Sequence, residues 1–123
     1  MKYQSAIDIY ACIIGLQKTK IELPTTAWLT LSKNQRVLKP LIEDFDMAKL
    51  ELMKRVGKSV DGDANFTFEG DNVAEFNIEM KKLLNTEIDI EIKKITKNEL
   101  RGYMEKLSSF EGIFTFYEYL IEE

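Results

Sequence analysis

Histidine is absent from this 123-residue chain, and cysteine occurs once, at Cys12. Histidine is the general base of most nucleophilic triads and the commonest metal ligand, so sites built on it are excluded. One cysteine excludes an internal disulfide and a cysteine-rich zinc site, and it is typical of a protein from a reducing cytosol. A phosphate-binding glycine loop is also missing, because Gly57-Lys58-Ser59 lacks the preceding glycine and strand.

Long hydrophobic runs are missing as well. The first residues lack the basic, apolar and small-residue order of a signal peptide, and the apolar stretch 6–16 is too short to span a bilayer. We therefore expect a soluble cytoplasmic protein that does not associate with membranes. Hydrophobic residues make up 45% of the chain and charged residues 31%, which fits one globular domain over residues 1–123.

Positive charge is scarce in the second half of the chain. Residues 1–60 carry ten Lys/Arg against six Asp/Glu, a net charge of +4, whereas residues 61–123 carry seven against fifteen, a net charge of −8. An acidic half repels the nucleic-acid backbone and suits a basic protein partner, so we expect a protein partner and no nucleic acid. The alternative is that the acidic surface serves solubility alone.

Apolar residues recur at helical spacing over most of the chain and predict about five helices. The first begins near Ala6 and is apolar on almost every side, which indicates a buried or interface helix. A long amphipathic pattern follows, in which Pro40 predicts a kink or a break into segments of about 25–38 and 40–56. Gly57 is the expected stop.

A third helix is predicted from about Asn72 to Asn85, and short helices follow Thr96 and Ser108. Residues 87–93 alternate strictly between isoleucine and charged residues, which predicts a strand with one solvated face. Together with a short strand at 66–68, this gives a small sheet, for which Lys2 and Tyr3 near the N-terminus are a further candidate edge strand. The predicted fold class is therefore α+β, predominantly helical. Four residue pairs have helix-capping spacing: Ser5 and Asp8, Asn72 and Glu75, Thr96 and Glu99, and Ser108 and Glu111.

The last predicted helix is rich in aromatic residues and supplies candidates for a partner-binding surface. Its core-facing stripe is predicted to contain Phe110, Ile113, Phe114, Tyr117, Leu120 and Ile121. Phe116 and Tyr119 fall outside that stripe and, with Glu118 between them, would anchor a protein partner if exposed. Trp28 is a further candidate anchor. The alternatives are that a second core layer or self-association covers Phe116 and Tyr119, and that Trp28 packs in the core.

Several motifs together carry a family resemblance over roughly residues 20–95. They are Glu22-Leu23-Pro24 then Ala27, a charged helix ending at Gly57, Asp61-Gly62, Phe76-Asn77-x-Glu79, and the run Leu83-Leu84-Asn85-Thr86-Glu87-Ile88-Asp89-Ile90. The chain resembles a family of small bacteriophage and prophage proteins whose domain has no assigned function. It departs from that family at Val56, where an aromatic residue is usual, and in its aromatic tail at 109–119. The resemblance implies a phage origin, and hence the host bacterial cytoplasm or the virion, but no activity.

Two acidic clusters are candidate metal sites. Asp89, Glu91 and Lys93, with Asp71 at a distance, have the residue types of a Mg²⁺-dependent nuclease; the alternative is the solvated face of an amphipathic strand. Asp61, Asp63 and Asn65 occupy the first ligand positions of a calcium loop, but Phe66 and Asn72 stand where glycine and glutamate are required, so an Asx-rich turn is favoured. We expect no cofactor and no metal.

The remaining nucleophiles give no catalytic set. The serines have no base to activate them, and Cys12 lies in an apolar helix, where a core position is expected. Our leading hypothesis is a non-enzymatic phage protein that binds other proteins, in virion assembly or as an accessory factor. The alternatives are a host-directed inhibitor of a bacterial defence system, whose acidic surface would block a basic groove, and the nuclease. Self-association is a further alternative.

Overall fold

A computed structural model describes residues 1–59 and 66–122. In this part of the chain there are five helices: α1 (Tyr3–Thr19), α2 (Thr25–Val56), α3 (Asp71–Leu84), α4 (Met104–Ser108) and α5 (Ile113–Tyr119). Four two-residue strands complete it: β1 (Lys58–Ser59), β2 (Phe66–Thr67), β3 (Ile95–Thr96) and β4 (Ile121–Glu122). The predicted α+β, predominantly helical class is confirmed. None of the helices in the described ranges is both long enough and apolar enough to cross a bilayer.

The centre of the fold is α1, whose apolar side chains point inward at helical spacing. Its fully or almost fully buried residues are Ala6, Ile9, Cys12, Ile13 and Leu16. They meet Ala27, Leu31 and Leu38 of α2 on one side and Phe116 and Leu120 near the C-terminus on the other. Each isoleucine, leucine or phenylalanine side chain among them contributes about 1.5–3 kcal/mol of transfer free energy. Of the two options predicted for this helix, burial is therefore the one observed.

Pro40 does not divide α2, so the predicted break into two segments is wrong. The helix runs unbroken over 32 residues. Pro40 and Arg36, whose carbonyl loses its hydrogen-bond partner, are both exposed, so water can reach the freed group. Leu38 and Phe45 on either side of the proline are both buried, and their packing holds the helical path.

Gly57 ends α2 as predicted. The reason is a close approach of neighbouring groups, which the sequence pattern does not reveal. Its φ is −90°, a conformation open to any residue. A methyl group here would lie 2.7 Å from the Met53 carbonyl oxygen and 2.9 Å from the Phe68 ring. Phe68 in turn packs on Phe76 of α3, with ring centroids 4.5 Å apart. Glycine therefore lets the antiparallel β1–β2 pair turn tightly back onto the helices; the predicted turn at 61–65 lies outside the described residues.

Residues 87–93 do not form the predicted strand. The alternation itself is present, since Ile88, Ile90 and Ile92 are half-buried against the core and the charged residues between them are exposed. What is missing is a row of hydrogen bonds to a neighbouring strand. The only β-bridge of this segment among the described residues joins Glu87 to Lys2. Further along, the parallel pair β3–β4 begins where Ile95 N–H donates to the Leu120 carbonyl, 2.7 Å away.

The partner of the missing strand is a side chain, Asn34 of α2. Its Nδ2 donates to the Lys93 carbonyl and its Oδ1 accepts from the Lys93 N–H, both at 2.8 Å. Asn34 is 1% exposed and lies on the same side of α2 as Leu31 and Leu38. One carboxamide thus replaces the pair of hydrogen bonds that a neighbouring strand would make.

Of the four predicted capping pairs, only Thr96 and Glu99 bond to each other. Thr96 Oγ1 accepts from the Glu99 N–H at 3.1 Å. This bond closes a turn, because the next helix, α4, begins only at Met104. The other three pairs do not form, and the helices near them begin at Tyr3, after Gly70 and after Gly112.

Replacement of Asn34 by leucine should destabilise the fold by about 2–4 kcal/mol. The volume is nearly conserved, but the N–H and C=O of Lys93 lose their partners in a partly buried contact, at about 1–3 kcal/mol for each group left unpaired. Urea unfolding followed by far-UV circular dichroism measures the change. The matched control is Asn77→Leu on the exposed side of α3. Equal stability of the two variants would contradict the role assigned to Asn34.

Candidate partner-binding surface

The orientation of α5 is set at its N-terminal side by Phe110. This ring is 7% exposed and lies against Gly15 of α1 and Gly112. A methyl group on Gly15 would lie 3.2 Å from the ring, and one on Gly112 would lie 2.7 Å from it. The two glycines therefore let Phe110 approach the backbone of α1 closely. The chain then turns through Glu111 and Gly112 before α5 begins.

The C-terminal side of α5 is held by hydrogen bonds to two distant elements. The Leu120 carbonyl accepts from Ile95 of β3 at 2.7 Å. Tyr119 OH and Ser5 Oγ of α1 share a hydrogen bond at 3.0 Å. With both ends fixed, the face of α5 formed by Ile113, Phe116 and Leu120 points into the core.

Phe116 is completely buried, so the prediction that it offers a partner-binding side chain is wrong. Tyr119 is half-buried and its hydroxyl is engaged by Ser5. The predicted stripe assumed one helix from Ser108, whereas the turn at 111–112 separates Phe110 from Ile113 and shifts the helical phase. Of the predicted residues on this helix, only Glu118 is exposed.

The same shift brings two aromatic side chains to the surface that were assigned to the core. Phe114 is 84% exposed and Tyr117 is 39% exposed. With Glu118 they are spaced three and four residues apart, so all three share the outward face of α5. We call Phe114, Tyr117 and Glu118 the α5 surface. Among the large hydrophobic residues that are described, Phe114 is the most exposed.

Charge around the α5 surface is mainly negative. A shallow groove of about 480 Å³ adjoins it, lined by Lys94, Tyr117, Glu118, Ile121 and Glu122. Glu111 is exposed just before the helix. An aromatic pair with acidic neighbours suits an apolar pocket that has a basic rim.

Trp28, the other predicted anchor, lies elsewhere. It is half-buried in the first turn of α2 and packs against the core. The structure therefore does not place it in a common surface with α5. Its neighbour Leu29 is 56% exposed, but it lies on the opposite side of α2 from the buried Ala27 and Leu31.

A second apolar surface lies where α3 packs on the end of α2. None of the residues of α3 is fully buried in this contact. A groove of about 410 Å³ remains, with Ala48, Leu52 and Leu83 as its apolar lining. Arg55 and Glu75 bridge the two helices at 3.5 Å near this groove. The two side chains are 60% and 50% exposed, so this ion pair contributes little stability.

The candidate nuclease residues do not form a common site. Asp71 begins α3, whereas Asp89, Glu91 and Lys93 lie on the 87–93 segment, with their side chains exposed. Over residues 1–59 and 66–122, no group of three or more carboxylate or cysteine side chains has a geometry that could hold a metal ion. The candidate calcium ligands Asp61, Asp63 and Asn65 lie outside the described residues.

Cys12 is a core residue, as predicted. It is 5% exposed, and its Sγ lies 3.6 Å from the Gly112 carbonyl oxygen, within reach of a weak S–H hydrogen bond. Burial raises the pKa of the thiol to about 11. The thiolate, which is the nucleophilic form, is therefore scarce at neutral pH.

Exchanging the two phenylalanines of α5 for alanine should give opposite results. Phe116→Ala should cost about 3–5 kcal/mol of stability, because it leaves a cavity between α1 and α5. Phe114→Ala should change stability by no more than about 0.5 kcal/mol, because the ring contacts mainly solvent. Urea unfolding of both variants measures the difference, and a comparable loss in each would show that the phase of α5 is misassigned.

Cys12 should react slowly in the folded protein. A pKa raised from 9.0 to about 11 lowers the thiolate fraction at pH 8 by about 100-fold, so iodoacetamide should alkylate it at least that much more slowly than in the unfolded chain. The folded protein keeps the thiol proton at pH values where the unfolded chain has lost it, so a rise in pH favours the unfolded state. Stability should therefore fall between about pH 9 and pH 11, and Cys12→Ala should remove that part of the pH dependence.

Comparison with protein-family models, curated proteins and solved structures gives no match. The functional interpretation therefore depends on the geometry of the chain itself.

Proposed function

We propose that this chain is a small phage protein without enzymatic activity, which binds another protein through the α5 surface. Virion assembly and an accessory role during infection both fit such a protein, in the host cytoplasm or in the virion. The observation that carries the proposal is the 84% exposure of Phe114 on a helix whose opposite face is locked into the core. A rigid aromatic side chain is the commonest kind of interface anchor.

The energetics favour coverage of this surface. Burying a phenylalanine side chain is worth about 1.5–3 kcal/mol, and Phe114 and Tyr117 can enter the same pocket because they are three residues apart. The helix is held by Phe110, Leu120 and Tyr119, so little conformational entropy is lost on binding. Glu118 and Glu122 favour a partner with basic residues around the pocket.

The phage origin is supported by the sequence resemblance over residues 20–95 and by nothing else. Self-association through the α5 surface is the alternative within the same site, because a two-fold dimer would bring two copies of Phe114 together. Two copies of Glu118 would then also approach each other, and this like-charge contact favours a different, basic partner.

A host-directed inhibitor is the second candidate, and one feature favours it. Glu87, Asp89 and Glu91 are exposed in a row along one segment. Such a row can occupy a basic groove that normally holds nucleic acid. Purified virions separate the two roles: a fixed number of copies per virion supports a structural role and contradicts the inhibitor, whereas absence from the virion contradicts the structural role.

Phe114→Ser should weaken partner binding by at least about tenfold, because anchors of this kind contribute about 2 kcal/mol or more. Tagged wild type and variant would be compared by affinity capture from infected cells, with the recovered proteins quantified by mass spectrometry. Met47→Ser is the matched control, since Met47 is 68% exposed but lies on the outer side of α2. A partner recovered equally with all three proteins would not bind through the α5 surface.

A further inference from the structure

The backbone of residues 89–92 forms an open edge between two fixed points. The alternating burial of residues 87–93 shows that the chain is extended here. Ile88 N–H donates to the Met1 carbonyl at 2.7 Å, and Lys93 is held on both backbone groups by Asn34. Between these points, residues 89–92 make no backbone hydrogen bond to any described residue.

The direction of the unpaired groups follows from the geometry of an extended chain. The N–H and C=O of one residue point to the same edge, and those of the next residue point to the other edge. The backbone N–H and C=O of Lys93 point toward α2, so those of residues 89 and 91 lie along the same edge. Ile88 points toward the first residues of the chain, and Ile90 and Ile92 share its edge. The N–H and C=O groups of Ile90 and Ile92 therefore continue the line that the contact with residues 1–3 begins.

We propose that this edge binds an extended segment of another protein as an added β-strand, and that this segment carries lysine or arginine at alternate positions. An open edge with unpaired N–H and C=O groups is the usual site of strand addition, in which main-chain hydrogen bonds give affinity and alternate side chains give specificity. Here the side chains on the solvated face are Glu87, Asp89 and Glu91, followed by Lys93 at the end of the segment. Basic residues on the added strand would lie directly opposite the three carboxylates.

The charge pattern selects this occupant over a second copy of the chain. In a parallel pair of identical segments, each acidic residue lies opposite the same acidic residue. In an antiparallel pair centred on Ile90, two Asp89–Glu91 contacts bring like charges together and two Glu87–Lys93 contacts bring opposite charges together, so the charges give no net gain. A basic strand meets all three carboxylates with the opposite charge, so the charge pattern favours it over a second copy.

This surface is distinct from the α5 surface and can be tested without it. The probe is a capped eight-residue peptide of alternating lysine and valine, with an alternating glutamate–valine peptide as its charge-reversed control. Titration should show saturable binding of the basic peptide alone. Hydrogen exchange measured by NMR should show new protection at the amides of Ile90 and Ile92.

Two further arms separate strand addition from general charge attraction. Asp89→Lys with Glu91→Lys should weaken binding at least about tenfold. Glu43→Lys with Asp44→Lys, the same charge change on the exposed side of α2, should not reproduce that loss. A basic peptide N-methylated at alternate residues, so that its bonding edge has no N–H groups, should bind far more weakly than the unmodified peptide. Urea unfolding confirms that both double variants are folded.

Several results would overturn the proposal: no binding of the basic peptide, equal loss in the two double variants, unchanged affinity after N-methylation, or protection confined to other amides. A dimer that protects Ile90 and Ile92 in the absence of peptide would assign the edge to a second copy instead. Phe114→Ser should leave peptide binding unchanged, so failure here and failure of the α5 surface are distinguishable.

Discussion

The paired hydrogen bond between Asn34 and Lys93 fixes how the C-terminal third of the chain lies on α2. Asn34 is buried on the core side of that helix, and its carboxamide would cost about 1–3 kcal/mol if left unpaired there. A shift of one residue along the segment would exchange the isoleucine face for the acidic face. The carboxamide therefore selects the one register that buries Ile88, Ile90 and Ile92 while leaving the carboxylates in water.

The position of the α5 surface depends on the same contact. Lys93 is two residues from Ile95, whose N–H holds the Leu120 carbonyl at the end of α5. Tyr119, next to Leu120, bonds back to Ser5 of α1. A short series of hydrogen bonds thus connects α2, the extended segment, α5 and α1. Because α1 and α2 also pack directly on each other, α5 is held both by α1 and by the extended segment that lies on α2.

Periodicity in the sequence predicted the long elements well and their partners poorly. The third helix was predicted at 72–85 and is found at 71–84, because a two-sided apolar pattern over 14 residues leaves little choice of phase or length. The 87–93 alternation correctly predicted which side chains face the core. It could not predict that the backbone partner would be a side chain 59 residues away. The signal was present at Asn34, a polar residue in phase with Leu31 and Leu38, but polarity alone does not name a partner.

Short elements were harder, because tertiary contacts decide where they start. The phase of α5 follows from the fit of Phe110 between Gly15 and Gly112, and neither glycine marks that contact in the sequence. The composition of the helix nevertheless predicts that some aromatic residues are exposed. Its aromatic residues are Phe114, Phe116, Tyr117 and Tyr119, and at 100° per residue the first and third lie on the side opposite the second and fourth. No single face of a helix can bury all four. Whichever pair the core takes, the other pair is left facing outward. Sequence alone therefore indicates an outward-facing aromatic pair, and the packing of Phe110 determines that it is Phe114 and Tyr117.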